Sequence, residues 1–353
     1  MPPLTITENA PLAHYTTLGV GGPARHLVEA ASEEQVLEAL DRGSSEGWPV
    51  FILGSGSNVL FADAGFPGLV LRIATKGIVA GNSNLLTAAA GEEWDAFVRL
   101  SVRRELAGIE CLSGIPGTVG ATPIQNVGAY GEEVGDTVQS VRVLDRQSGT
   151  IRELGNPECG FAYRSSVFST SRRDRYVILA VTFELTPGGR PSVAYPDVES
   201  FFGGRVEAVS PWEVRQAVLL IRQSKGMLLD PTDAESRTAG SFFKNPVITG
   251  EALRDAEAAA RRLGLLAESQ DLPRFRTAEG TYKIPAAWLI ERTGIRKGYG
   301  TGHVSISSRH ALAIIARPGA TAAEVLHFAQ HIRGRVEAVF GIALELEPVC
   351  AGF

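Results

Sequence analysis

Tyr163 and Arg164 open the segment YRSSVF, Ser241 lies in GSFFKNP, and Glu345 and Glu347 fall in ALELEPV near the end of the chain. An arginine presents a planar fork of donors suited to a carboxylate or an enolate, although an arginine in a surface turn is the ordinary case. Serine is a poor acid in water, so the chemistry of Ser241 depends on its surroundings. A turn or helix-cap hydroxyl is the plain alternative, and no G-x-S-x-G elbow surrounds it. Two carboxylates two residues apart share one face of a strand. Such a pair could point to glycoside hydrolysis, but glycosidase carboxylates rarely share one short terminal strand, and an exposed charged edge is the alternative. His327 and His331, four apart, have a helical zinc spacing. Phe328 fills the position where H-E-x-x-H needs glutamate, so a partly buried helix face is expected there and no metal.

Two glycine-rich segments must position any such groups. The first is ILGSGSNVLF, residues 52–61, with Leu53, Gly54, Ser55, Gly56, Ser57 and Asn58 at its turn. It lacks the lysine of the phosphate loop of nucleotide hydrolases. It also lacks the third glycine of the dinucleotide fingerprint, since Val59 stands there, and the residues beyond it read as strand, turn, strand rather than helix. A phosphate cradle in a sheet-rich setting and a tight hairpin without ligand both fit. The second segment is GIECLSGIPGTVGATPIQNVGAYGEEVGD, residues 108–136. A loop of this length without strong secondary structure is usually functional. Pro116 and Pro123 stiffen it. Its array of backbone N–H groups could hold a large ligand bearing a pyrophosphate and a heteroaromatic ring; a structural Ω-loop is the alternative. Two such loops in one chain favour ligand binding.

The 353 residues suggest two or three domains. A composition 44% hydrophobic and 21% charged is that of a soluble protein with a sizeable core. A net charge of -5 argues against a general nucleic-acid binder without excluding a local basic pocket. Cys111, Cys159 and Cys350 are odd in number and contain no C-x-x-C pair, as expected of a reduced cytosolic chain without a zinc ribbon. Neither a signal peptide nor a membrane span is read.

Residues 17–78 read as strand, a helix capped near Ser32, and strand. Residues 79 to about 220 are mostly short strands (LLTAAAG, SVRVLDR, RYVILAVTFEL), interrupted by a helix near WDAFVRLSVRREL and by the long loop. YRSSVF is expected to lead back into strand. After a polar stretch, KGMLLDPTDAESRTAG, come helices in EALRDAEAAARRLGL, PAAWLIERTG and AAEVLHFAQHIRGRVEAVF, a strand in HALAIIA, and a strand-like tail, IALELEPV.

TLGVGGPA, ILGSGSNVLF, LSGIPGTVGATPIQNVGAYG, YRSSVF, GSFFKNP and IPAAWLIE come one after another in that order. Together they resemble the UDP-N-acetylenolpyruvoylglucosamine reductases (MurB) of bacterial cell-wall synthesis, from about Thr17 to the last strand. The resemblance implies an α+β fold. An FAD-binding domain of the vanillyl-alcohol-oxidase (PCMH) type would form two α/β subdomains, 1–78 and 79–224, the strand 345–353 joining the first. Residues 225–344 would form a C-terminal α+β substrate-binding domain.

It also implies non-covalent FAD, held by residues 53–58 and by Gly114, Ile115, Pro116, Gly117, Gly120, Ala121, Gln125, Asn126, Gly128, Ala129 and Tyr130. NADPH would be the co-substrate, and UDP-N-acetylglucosamine enolpyruvate the small-molecule substrate of a cytoplasmic, monomeric enzyme of peptidoglycan precursor synthesis. By the same resemblance, Arg164 and Glu347 stabilise an enolic intermediate and Ser241 protonates it. Glu347 is favoured over Glu345 by its spacing from Phe340, although the family commonly shows L-E-P-E-V and here the proline comes after Glu347. Tyr163, Asn245, Lys225 and Tyr195 match substrate contacts. Tyr195 belongs to a substrate-covering loop or else is a plain turn aromatic, and Lys244 is either a contact or solvated. Two rivals are another FAD oxidoreductase of the same fold and a silent sugar-nucleotide-binding protein. The first loop lacks the histidine or cysteine of a covalent flavin enzyme, and the serine, arginine and glutamate that a silent relative would have lost are all present.

Overall fold

The computed structural model describes residues 4–81, 84–191, 193–203, 209–277 and 280–353. Residues 1–3, where the N-terminal stretch read for a signal peptide starts, lie outside them. The residues divide into two compact units. The first comprises 1–10, 24–56 and 67–228; the second comprises 11–23, 57–66 and 229–353.

In the first unit, Ser32 caps helix α1 (Glu33–Ser45) by accepting from the Gln35 N–H at 3.3 Å, where a helix leaves its first donors unpaired. Val36 and Ala39 of α1 are fully buried. A four-stranded sheet runs in the order Thr7–Pro11, Pro23–Ala30, Phe66–Ile73, Val50–Leu53, the last two parallel with Val50 opposite Leu69. A five-stranded sheet has the order Thr150–Gly155, Val138–Asp145, Tyr176–Glu184, Leu85–Ala89, Ile78–Ala80, every neighbour antiparallel. Helix α2 (Trp94–Arg103) buries Trp94, Phe97 and Val98, and the Trp94 and Phe97 rings meet Phe183 with centroids 5.8 and 4.8 Å away. Aromatic pairs of this kind add about 0.5–1.5 kcal/mol beyond burial. Helices α3 (Asn156–Cys159), α4 (Pro196–Phe202) and α5 (Pro211–Ser224) come next, α5 opened by a capping box of Ser210 and Glu213.

In the second unit, helix α6 (Gly250–Arg262), α7 (Ala286–Arg292) and α8 (Ala322–Phe340) pack with two small antiparallel sheets around Leu253, Leu289, Ile314, Ile332 and Phe340. Thr321 and Glu324 form the capping box of α8, and Gly341, at φ 66°, ends it. Val59–Phe61 pairs in parallel with Val349–Ala351. The strand expected over IALELEPV therefore forms further along: within 342–348 only Leu346 makes a ladder contact, with Phe243. The mixture of helices with antiparallel and parallel sheets is an α+β fold.

Candidate functional site

The first glycine-rich turn packs against the side chains of the second segment, and the second segment packs against Ala90. A Cβ added at Gly54 would lie 2.8 Å from Thr118 Oγ1, and one at Gly120 would lie 2.5 Å from Ala90 Cβ. Gly56, Gly114 and Gly117 hold φ of 68°, 71° and 153°. Such turns exclude most side chains and leave amide groups as the lining. Asn126 and Tyr130 also adopt positive φ, 44° and 51°, which costs a non-glycine residue conformational energy. Asn126 is held there by its whole amide: Oδ1 accepts from the Gly135 N–H at 2.8 Å, and Nδ2 donates to Glu133 at 2.7 Å and to the Ala162 carbonyl at 3.1 Å. An amide-lined cradle with hydroxyls and no carboxylate across residues 53–56 fits the pyrophosphate of a flavin dinucleotide.

Ala162 and Ser165 exchange two backbone hydrogen bonds of 3.0 Å, closing a tight turn with Arg164 at φ 50°. The segment does not lead into a strand. Turns continue until Tyr176, because Ser166 takes the local backbone partners: its Oγ donates to the Ile124 carbonyl and accepts from the Phe168 N–H. The turn aims the half-buried Arg164 at the loop's end, where a Cβ on Gly128 would lie 3.5 Å from Arg164 Nη1. Its guanidinium also lies 5.8 Å from the Tyr163 ring centroid. Arg164, Tyr163 and Gly128 are thus brought together.

A second group gathers near Tyr130. The Tyr195 ring meets the Tyr130 ring edge-on at 5.4 Å, and Lys225 Nζ lies 5.7 Å from the Tyr130 centroid. Burial pulls the Lys225 ammonium pKa down, but the Asp197 carboxylate bonded to it outweighs this and raises it. Burial pushes the Tyr130 phenol up. Under the loop, Arg215 forks onto Asp95 at 2.6 and 2.7 Å, and Asp95 also accepts the Gly114 N–H at 2.6 Å. Arg222 is buried and donates to the Met227 carbonyl at 2.8 Å. Asp95, Arg215 and Arg222 escaped the sequence reading, and Asp197 was read without a role. A signal existed for two of them: Arg215 and Arg222 are seven apart on α5, in line with the buried Val214 and Val218, where a solvated arginine is not expected.

In the second unit, the segment after Gly240 is clamped on both sides. Phe242 donates its N–H to the Leu312 carbonyl at 2.8 Å, and Ser241 bridges to Ala313. On the other side Glu347 donates its N–H to the Phe242 carbonyl at 3.0 Å and Lys244 to the Glu345 carbonyl at 3.0 Å. Asn58 fastens the same tail, its amide donating to the Glu347 carbonyl at 3.2 Å. The two glutamates differ: the Glu345 side chain is 76% exposed and paired with Lys244 at 3.3 Å, whereas Glu347 is half-buried. Lys244 is therefore ion-paired. Asn245 Oδ1 accepts the N–H of Ala286 at the start of α7 at 2.9 Å, which fixes the amide and directs its NH2 side elsewhere. His331 bonds Tyr299 at 3.3 Å, and among the described residues no group of metal-ligating side chains occurs. No helix among the described residues is long and apolar enough to cross a membrane.

Residues 24–155 match the FAD binding domain family, and residues 230–351 match the family described as UDP-N-acetylenolpyruvoylglucosamine reductase, C-terminal domain. The chain is 44% identical to the UDP-N-acetylenolpyruvoylglucosamine reductase of Thermobifida fusca, over 99% of this chain and 98% of that one. It is 43% identical to that of Saccharopolyspora erythraea, over 97% and 95%. The crystal structure of the Thermus caldophilus reductase superposes with a TM-score of 0.64 at 25% identity, covering 99% of both chains. The chain therefore belongs to the UDP-N-acetylenolpyruvoylglucosamine reductase family, as an oxidoreductase that carries an FAD-binding domain.

Proposed function

We propose that the chain reduces the enolpyruvyl group of UDP-N-acetylglucosamine enolpyruvate to the lactyl ether of UDP-N-acetylmuramate, in the cytoplasm, for peptidoglycan synthesis. Bound FAD would supply the hydride, delivered to the β-carbon, after reduction by NADPH. The protein's part is to manage charge and a proton. Negative charge develops on the substrate's carboxyl-bearing end, and Arg164 offers a planar fork for it. Glu347 polarises the same centre, and Ser241 donates a proton to the α-carbon. Lys225 and Tyr195 hold the diphosphate, with Tyr163 and the NH2 side of Asn245 as further substrate contacts. The cofactor is held by residues 53–58 and by residues 114–130 of the long loop.

The observation that carries this reading is the clamp on 241–244. A serine used as an acid must be held at one point: Ser241 bridges to Ala313, the residues after it bond 312, 345 and 347, and among the described residues its hydroxyl has no hydrogen-bond partner. The test is Ser241→Ala carried through two half-reactions by flavin absorbance in a stopped-flow instrument. Reduction by NADPH should keep its rate, and reoxidation by UDP-N-acetylglucosamine enolpyruvate should slow about 10²–10⁴-fold, as for loss of a general acid. Normal reoxidation would move the proton donor elsewhere, and a wild-type protein that takes up no flavin would sink the reading.

A further inference from the structure

Two buried carboxyl groups stand outside the chemistry above. Glu110 is fully buried in the turn Glu110–Leu112, and Glu132, 7% exposed, lies in the short strand Glu132–Glu133 that pairs with Gly128–Ala129. These two elements bracket residues 113–131, the loop proposed to hold the flavin. Each carboxyl spends one oxygen on the backbone. Glu110 Oε2 accepts from the Gly108 and Ile109 N–H groups at 2.6 and 3.1 Å, and Glu132 Oε2 accepts from the Cys111 N–H at 2.8 Å. Oε1 of each is buried and meets no protein donor among the described residues. Through Oε2, Glu132 is bonded to the residue that follows Glu110, so the turn and the strand that carry the two unpartnered oxygens are held side by side. Two carboxylates cannot bond each other without a proton, because each only accepts.

We propose that Glu110 and Glu132 share a single proton and act as positioning residues that clasp the two ends of the loop 113–131. The protonated carboxyl donates to the other, so the pair carries one negative charge and no orphaned oxygen. Burial, and after it the Glu110 charge, pushes the Glu132 carboxyl up to about 8. The other titratable groups on the surrounding elements are committed elsewhere. Asp95 of α2 and Arg215 of α5 hold each other, Arg222 of α5 bonds Met227, Tyr130 faces Lys225, and Glu133 bonds Asn126. The Cys111 thiol is pushed far up by burial and by both carboxyl charges and stays protonated. Among the described residues neither arginine reaches either carboxyl, so no cation replaces the shared proton.

Linkage sets the direction of the pH effect. The clasped loop binds one proton more than the open loop at every pH between the ordinary carboxyl value of 4.5 and about 8. The clasp is thus fully stable below the lower value, weakens by up to about tenfold per pH unit through the window, and levels off above it.

The test compares wild type with Glu132→Gln, whose amide donates permanently to Glu110 while its oxygen still accepts from Cys111. Flavin release from the holoenzyme is measured by recovery of free-flavin fluorescence as pH is raised. Release from wild type should quicken several-fold to tenfold per unit up to about pH 8 and then plateau; release from Glu132→Gln should be flat. Parallel profiles would overturn the proposal. An infrared band of a protonated carboxyl, lost as pH passes about 8 and missing from the variant, gives a second reading that needs no flavin. Its absence from wild type at every pH would equally overturn the proposal. If Glu132→Gln does not fold, Glu110→Gln supplies the same donor from the other side and should give the same flat profile. A wild type without flavin would defeat the functional reading alone, since the infrared measurement still decides the clasp.

Discussion

The N–H of Glu347 and the carbonyl of Phe242 lie 3.0 Å apart in a hydrogen bond that ties the end of the chain to the residue next to Ser241. Side chains more than a hundred residues apart in sequence are thereby held by one rung of backbone pairing. If Glu347 polarises the substrate, Glu347→Gln should slow flavin reoxidation about 10²–10³-fold with little change in reduction by NADPH. Glu345→Gln, which removes only an exposed pair with Lys244, should stay close to wild type in both half-reactions. Stopped-flow traces of the two variants side by side decide the assignment, and equal losses would show that the tail acts only through its backbone.

Asp95 and Arg215 form the anchor beneath the loop, and Arg215 is only 4% exposed. Asp95→Ala leaves that guanidinium buried without its partner and should cost about 3 kcal/mol of stability, read as a fall in denaturation midpoint. Burial raises the Asp95 pKa, but bonds from Arg215 and Gly114 outweigh it and lower the value from 3.8. The carboxylate's contribution is therefore complete above pH 3.8 and lost as pH falls through the lower folded value. The stability gap between wild type and Asp95→Asn should close as the pH is lowered, and a gap that widens in acid would contradict the assignment.

Gly120→Ala tests the loop's close packing. The new methyl would sit 2.5 Å from Ala90 Cβ and 3.0 Å from its Cα, atoms of a backbone that cannot swing aside. Overpacking of this kind costs about 1–3 kcal/mol. The variant should show a lower unfolding midpoint together with faster flavin release; an unchanged midpoint would mean that the loop and the strand near Ala90 have room to separate.

Much of the scaffold was legible in the sequence, and the reasons are local. Ser32 marked the start of α1 because an N-cap needs only its own next three residues, and RYVILAVTFEL could be read as strand from composition alone. YRSSVF was misread because its turn depends on Ser166 reaching Ile124, a contact 42 residues distant. The tail strand began later than expected because its partners, Asn58 and the strand Val59–Phe61, are chosen by tertiary pairing. At the site, the glycines announced themselves, since positive φ and close approach leave a mark in residue type. The groups that hold the loop did not: Asp95, Glu110 and Glu132 are ordinary acidic residues until their buried partners are known.

Lys225 is held by Asp197 and faces the Tyr130 ring. If Lys225 contacts the diphosphate as proposed, Lys225→Met should raise KM for the sugar nucleotide about 10–100-fold, the loss of one charge-assisted bond of roughly 1.5–3 kcal/mol. Asp197→Asn should change KM in the opposite direction, because a competing anion is removed from the ammonium. Steady-state kinetics at fixed ionic strength measure both, and a rise in KM for Asp197→Asn would show that the carboxylate orients the lysine instead.

The parallel pairing of Val59–Phe61 with Val349–Ala351 bears on how the gene can be divided. The C-terminal family match spans residues 230–351, yet the strand that completes its sheet is encoded near the start of the chain. A polypeptide cut at residue 229 would carry Val349–Ala351 with its row of N–H and C=O groups bare, an edge that recruits other chains. The matched portion expressed alone should therefore aggregate, and co-expression with the 57–66 segment, or a permuted chain that supplies it, should restore solubility.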